Sequence, residues 1–244
     1  MDIRFHGKRA LVTGAGRGIG KGIAEALAAG GAETYALDVI QENLDRVKSE
    51  NPSMHTVCVD LSDWAATRKA VEEIGPIDLL VNDAGIISHA PFVDTDENSL
   101  DKLFDVNFMA AVNVSQVVAK GMIERGKGGA IVHISSLVSK RGAVNLAAYC
   151  SSKGALDQTM RVMALELGPH QIRVNCVNPF STKTDMTNSV INDPVRGPAL
   201  LAKIPLGRFL EVKDVVHPVL YLLSDKADMI NGVTLVVDGG SAIA

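Results

Sequence analysis

Short apolar runs alternate with longer helical patterns along the whole chain, and that alternation narrows the folds open to it. The runs at 10–12, 34–37, 55–59, 77–81, 130–134, 172–177 and 234–237 are rich in Val and Ile. They are continuously apolar, which is how a strand buried on both faces reads. Between them, residues 20–29, 42–49, 64–73, 99–124, 149–167 and 212–223 carry apolar positions at helical spacing. The expected fold is α/β: a single doubly wound parallel sheet of about seven strands with helices on both faces. Right-handed crossovers place every strand's C-terminal end along one edge, where ligands bind. Residues 1–244 read as one domain, without internal repeat, low-complexity segment or linker. Residues 180–208 stand apart. They show no clear order, hold Pro194, Pro198 and Pro205, and follow a strand at the presumed ligand edge. A loop of that length in a compact domain is usually functional, and a substrate lid is expected.

Composition removes several function classes. A net charge of −4 with a pI near 5.9 gives no electrostatic footprint for nucleic acid. No apolar stretch approaches the roughly 20 residues of a membrane span, so no membrane partner is expected. The N-terminus carries no run of signal-peptide type. Cys58, Cys150 and Cys176 are widely spaced and odd in number, which suggests reduced thiols and a cytoplasmic protein. No cluster of His, Cys and carboxylates points to a metal.

The first strand runs into Thr13-Gly14-Ala15-Gly16-Arg17-Gly18-Ile19-Gly20, and a helix follows. Glycines let backbone approach a pyrophosphate, and the helix N-terminus supplies amide donors. The spacing is Thr-Gly-x-x-x-Gly-x-Gly rather than the usual dinucleotide fingerprint, because Ile19 stands where its third Gly would be. Asp38 closes the second strand, where a carboxylate usually receives ribose hydroxyls. Asp60 closes the third, as an adenine acceptor or a turn carboxylate. Further on, Tyr149 and Lys153 lie four residues apart at the start of a helical pattern, so they share a face. A nearby cation lowers a phenol's pKa, and a tuned Tyr can exchange a proton with a carbonyl or alcohol oxygen. His133, inside a strand, reads as a core histidine, and His89 as a surface one.

Taken together, the Thr13–Gly20 turn, Asn82-Asp83-Ala84-Gly85, Asn107, Ser136, Tyr149 with Lys153, and Asn178-Pro179 resemble the short-chain dehydrogenase/reductase family over essentially the whole chain. Within it, Val57-Cys58-Val59-Asp60-Leu61 and the stretch from Met163 to His170 look like the L-xylulose (dicarbonyl) reductase and tetrameric carbonyl reductase branch. The resemblance implies a Rossmann-type enzyme that moves a hydride between nicotinamide and a carbonyl or secondary alcohol, such as an L-xylulose/xylitol-like polyol or an α-dicarbonyl. It implies Tyr149 as acid–base and Lys153 as holder of the nicotinamide ribose and depressor of the Tyr149 pKa. Ser136 would orient the substrate oxygen, and Asn107 would complete a proton relay through water. It also implies cofactor contacts from Gly14, Arg17, Gly18, Ile19 and Gly20, from Asp38, Asp60 and Leu61, and from Asn82, Ala84 and Gly85. Pro179, Thr182 and Thr184 complete that set, beside Tyr149 and Lys153.

Two departures bear on function. The family's second Asn in Asn-Asn-Ala-Gly is Asp83 here, which puts a carboxylate near the site. The places matching the branch's substrate pocket hold Leu137, Ala143, Leu146 and Ile191 beside Ser136 and Tyr149, an apolar set for sugar hydroxyls, with Asn145 and Ser181 as polar exceptions. The resemblance leaves a 3-oxoacyl-thioester reductase as the alternative enzyme; it would want a basic patch for its phosphopantetheine carrier, and the sequence alone leaves open whether Lys140 and Arg141 form one. A non-catalytic dinucleotide-binding protein is the alternative of another class. Asp38, with Val39 where the branch has a basic residue, favours NAD(H), while Arg17 leaves NADP(H) possible. A homotetramer is expected from the family and from apolar residues on two helices, Ala110, Ala111, Val114 and Val118, then Ala155, Met160 and Met163.

Overall fold

Residues 3–244 are described by a computed structural model. Seven strands form one sheet: β1 (Arg9–Thr13), β2 (Glu33–Asp38), β3 (His55–Cys58), β4 (Leu79–Asn82), β5 (Gly129–Ile134), β6 (Ile172–Pro179) and β7 (Thr234–Val237). Their order is β3-β2-β1-β4-β5-β6-β7, and every neighbouring pair is parallel. Register aligns Thr13 with Asn82, Asn82 with His133, and His133 with Cys176. The glycine turn, the Asp83 turn and the Ser136 turn therefore leave the sheet side by side. The order reverses between β1 and β4, which is where an open α/β sheet holds a ligand.

Successive strand residues face opposite sides of the sheet. Ala10 and Val12 pack against α1 (Gly18–Ala29), α2 (Gln41–Glu50) and α9 (Val212–Leu223), through Ile23, Leu27, Leu44, Val47 and Val219. Leu11 and Leu80 pack on the other face against α3 (Trp64–Ile74), α5 (Ala110–Arg125) and α6 (Ala147–Leu167), through Val71, Val114, Met122 and Met160. Each fully buried Leu, Ile or Val of this kind contributes about 1.5–3 kcal/mol of transfer free energy. The expectation of strands buried on both faces holds for the middle of the sheet. At the edges, β3 and β7 are half-exposed, because each has a neighbour on one side only.

The helical pattern at 99–124 is not one regular helix. An α-helix, α4 (Glu97–Phe104), passes through a π-helical turn at Asp105–Met109 into α5. Asp96 caps its start by accepting from Ser99 N at 2.9 Å. The joined helix Glu97–Arg125 has the length and apolarity of a bilayer span, contrary to the sequence expectation, yet half of that stretch is buried inside the fold. Of the residues expected to span two faces, Ala110, Ala111, Val114, Val118 and Met160 are buried, and Ala155 and Met163 are half-buried. The outward apolar residues of these helices are Met109, Ile123, Val162 and Leu165, the last 79% exposed.

Residues 180–208 are more ordered than their prolines suggest. They hold α7 (Asp185–Ile191), which starts with a Thr184–Thr187 capping box, and α8 (Arg196–Leu201). Lys183 N donates to Leu210 O at 2.8 Å and Leu210 N to Ser181 O at 3.1 Å, which pins the segment at its base.

Candidate active site

A cleft of about 710 Å³ opens at the C-terminal ends of β1, β2, β4, β5 and β6. That size lies in the range that holds a cofactor or drug-sized ligand. Its floor begins at the glycine turn. Gly14 has φ +66°, and a Cβ there would meet Ala84 backbone at 2.8 Å. Gly18, φ +57°, starts α1 with its backbone facing the cleft. A Cβ on Gly20 would lie 2.3 Å from Gly14 O and 2.6 Å from Asp83 Oδ2, so Gly20 serves the turn by close packing. Gly14, Arg17, Gly18 and Ile19 line the cleft, and Gly20 sits beneath them. A backbone cradle at a helix N-terminus fits the pyrophosphate of a dinucleotide.

Asp38 and Asp60 stand at one end. Asp38 is nearly buried, accepting from Gly16 N at 2.9 Å and from Ile40 N at 3.0 Å. Asp60 accepts from Ser62 Oγ at 2.7 Å and Ser62 N at 2.9 Å, and these bonds, the hydroxyl first, hold its carboxyl below the usual range. Asp60 is thus a turn carboxylate that also lines the cleft, next to Leu61. Ala84, Gly85, Pro179, Thr182 and Thr184 line it as expected. Asn82 does not. It is buried in the sheet, donating to Ser115 Oγ at 3.0 Å and facing His133 Nδ1 at 3.2 Å, because strand alternation turns its side chain inward. Its partner His133 is a core histidine, pushed down to about 4 by burial. His89 is exposed, its pKa lowered by partial burial and by Arg196.

Tyr149 and Lys153 share one face of α6 at the cleft wall, with the Lys153 ammonium 6.0 Å from the centre of the Tyr149 ring. Ser136 lines the same cleft. Lys153 is buried and donates from Nζ to Ile134 O at 2.8 Å. The expectation that Lys153 depresses the Tyr149 pKa is not met. Burial pushes the phenol up to about 12, the neighbouring Ser136 draws it down, and the charge of Asp83 raises it again. Lys153 is itself held below its usual pKa by burial and faces Asp83, which compensates its charge.

Asn107 sits in the π-helical turn, 1% exposed and behind the cleft. Its Oδ1 accepts from Ile86 N at 2.8 Å, and its Nδ2 donates to Ile86 O at 3.0 Å and Ser152 Oγ at 3.1 Å. Asn107 therefore ties the loop after β4 to α6. A Cβ on Gly85 would stand 3.3 Å from Asn107 Oδ1 and 3.5 Å from Lys153 Nζ, so a glycine keeps these two groups neighbours.

The substrate side differs from expectation. Leu137 is buried in the turn after Ser136, and Ala143, Leu146 and Ile191 lie outside the cleft lining. Ile86, Phe180 and Met186 supply the apolar wall instead. The α4 helix, which carried no sequence signal of a site, contributes Asp101 and Lys102, and the π-helical turn after it adds Asp105. Sequence reasoning also missed Asp157. One turn beyond Lys153, it accepts from Ser139 Oγ at 2.6 Å and Asn178 Nδ2 at 3.0 Å, while Asn178 Nδ2 also donates to Ser136 O at 3.1 Å. That buried bracket holds the Ser136 turn against α6. Among the described residues, no group of three His, Cys, Asp or Glu side chains could hold a metal.

A family model described as enoyl-(acyl carrier protein) reductase matches residues 14–242. L-xylulose reductase of Bos taurus is 51% identical over 98% of both chains. The chain belongs to the short-chain dehydrogenase/reductase family. Carbonyl reductase [NADPH] 2 of Sus scrofa is 46% identical, again over 98% of each chain. The solved gluconate 5-dehydrogenase of Burkholderia cenocepacia, in complex with NADP and tartrate, superposes with a TM-score of 0.94 at 33% identity, covering 100% of this chain and 98% of its own. The protein is an enzyme, a nicotinamide-dinucleotide-dependent oxidoreductase acting between carbonyl and alcohol.

Proposed function

We propose that the enzyme interconverts a small ketone and its secondary alcohol, with NAD(H) preferred and with Ser136 and Tyr149 as the groups that face the reacting oxygen. Candidate substrates are an L-xylulose/xylitol-like polyol, an α-dicarbonyl or another small ketone. The observation that carries the reading is the convergence of Ser136, Tyr149 and Lys153 on one cleft, with the Lys153 ammonium 6.0 Å from the centre of the Tyr149 ring. The bound dinucleotide supplies or accepts the hydride. Tyr149 gives its proton to the carbonyl oxygen as negative charge develops there, and Ser136 donates a second hydrogen bond to that oxygen. Lys153 adds positive charge and holds the nicotinamide ribose, and Asn107 holds the loop and helix on either side. Asp157 keeps Ser136 at its post. Helices α7 and α8 act as the substrate lid, latched by the Arg17–Asp185 ion pair at 3.7 Å.

The apolar wall of Ile86, Phe180 and Met186 favours a ketone with few hydroxyls over a fully hydroxylated sugar. A 3-oxoacyl thioester is less favoured. Arg141 donates to Ser241 O at 2.8 Å and stacks over Phe180, which turns it toward the protein and leaves Lys140, bonded to Thr234, as the one exposed cation of the pair. Three free cysteines accord with a cytoplasmic setting. A homotetramer would cover Met109, Val162 and Leu165. A spectrophotometric screen of diacetyl, L-xylulose, xylitol and acetoacetyl thioesters with NADH, NADPH and their oxidised forms tests the assignment. Turnover confined to the thioesters, or none with any carbonyl, would refute it.

A further inference from the structure

Asp83 replaces a neutral amide by a carboxyl group at the centre of the cofactor site. Its backbone N–H donates to Thr13 Oγ1 at 3.2 Å, which locks the turn against β1. Its side chain reaches the first turn of α1, where a Cβ on Gly20 would lie 2.6 Å from its Oδ2, and it lines the cleft. It therefore occupies the donor-rich end of the helix at which a pyrophosphate binds. Six carboxylates line this cleft, against three cations, Arg17, Lys102 and Lys153. An anionic ligand entering it meets a field of its own sign.

We propose that Asp83 makes dinucleotide binding proton-linked: the carboxyl takes up a proton from solvent as the pyrophosphate settles at the N-terminus of α1. The inference rests on the dinucleotide reading of the cleft. The groups that face Asp83 set the balance. From α6, the Lys153 ammonium favours the charged carboxylate, and the Tyr149 phenol stands beside it. From the end of β2, Asp38 opposes that charge, and burial opposes it most, so Asp83 is lifted to about 7 before any ligand arrives. Arg17 lies in the same cleft but is drawn toward Asp185. A pyrophosphate adds negative charge at the same helix end and lifts the carboxyl further. Asp83 and Lys153 titrate as a pair, and only removal of the Asp83 charge separates them.

The test uses NADH, whose binding is followed by fluorescence titration between pH 6 and pH 8. In the unmodified enzyme the Kd rises about tenfold over that range, following linkage to one proton. Asp83→Asn keeps the size of the side chain and removes the charge. Its Kd stays level across the range and lies below that of the unmodified enzyme at pH 8. An equal pH slope in the variant overturns the proposal, because Lys153 or another group then carries it. If the variant does not fold, calorimetry of NADH binding to the unmodified enzyme at pH 7 in buffers of different ionisation enthalpy reads proton uptake directly. Net uptake of a fraction of a proton supports the proposal, and zero uptake overturns it. Absence of NADH binding at every pH would remove the dinucleotide reading itself, and this inference with it.

Discussion

Burial lifts the Tyr149 phenol to about 12, so near neutral pH the hydroxyl carries its proton. A protonated phenol suits carbonyl reduction and has to ionise for alcohol oxidation. Oxidation rates are expected to climb steadily from pH 6 to pH 9 while reduction rates do not rise, and initial rates in both directions across that range check this. Tyr149→Phe should lower kcat by about 10² to 10⁴-fold with nearly unchanged NADH affinity, since the lost group acts in proton transfer. Near-normal turnover would exclude Tyr149 as the acid. Lys153→Ala should weaken both affinity and rate. Gly20→Ala is a packing test. The new methyl would meet Gly14 O at 2.3 Å, a backbone atom with little freedom to move, so the expected cost is about 1–3 kcal/mol of stability together with loss of NADH binding. A variant with parental melting temperature and affinity would show that the turn yields more easily than its geometry implies.

The end of β2 decides between cofactors. Asp38 is held by Gly16 N–H and Ile40 N–H, so a ribose seated at this end of the cleft would meet a fixed carboxylate. Hydrogen bonds from ribose hydroxyls to a charged group contribute roughly 1.5–3 kcal/mol, and a 2′-phosphate at the same place brings like charges together at a cost of several kcal/mol. Arg17 could offset that, but Asp185 engages it. NADH is therefore expected to exceed NADPH by about 10²-fold in kcat/KM, or about 2.7 kcal/mol. Asp38→Ser with Val39→Arg should reverse the order. Equal efficiencies with the two cofactors would show that Arg17 outweighs Asp38, a real contest given relatives named for or solved with NADP(H). Strands and helices were legible because periodicity and Gly punctuation mark them, and 212–223 and 234–237 coincide with α9 and β7. The π-helical turn around Asn107 was not, since one extra residue in a turn leaves the apolar pattern intact on both sides. Nor were α7 and α8, which are too short for a periodic signal among three prolines. Most of the residues expected to hold a cofactor do line the cleft, because they stand at or just past the C-terminal end of a strand or near the start of a helix. The substrate wall could not be read, because Phe180 and Met186 arrive from tertiary folding of the 180–208 segment.

On the scale of the whole molecule, two buried groups pull the pH dependence of stability in opposite senses. His133, held at about 4, leaves the unfolded chain binding the extra proton between pH 4 and pH 6.5, so stability falls on acidification. Asp83, lifted to about 7, lets the folded chain bind the extra proton above pH 4, so stability falls as pH rises toward 7. Asp83→Asn removes the second effect. Urea titrations should show the variant gaining on the unmodified enzyme by up to about 1.4 kcal/mol per pH unit between pH 4 and pH 7. Parallel curves would mean that Asp83 is not buried with a raised pKa. Light scattering at micromolar concentration should give a tetramer, and a monomer would contradict that assembly. The strand order has its own consequence for how the chain comes to be folded. β1 can pair with β2 soon after both are made, but its other edge waits for β4, with Thr13 meeting Asn82 across two intervening strands and three crossovers. During synthesis the first three strands thus present an apolar open edge until about a third of the chain has emerged. Such distant pairings slow folding and lengthen the exposure of that edge to aggregation.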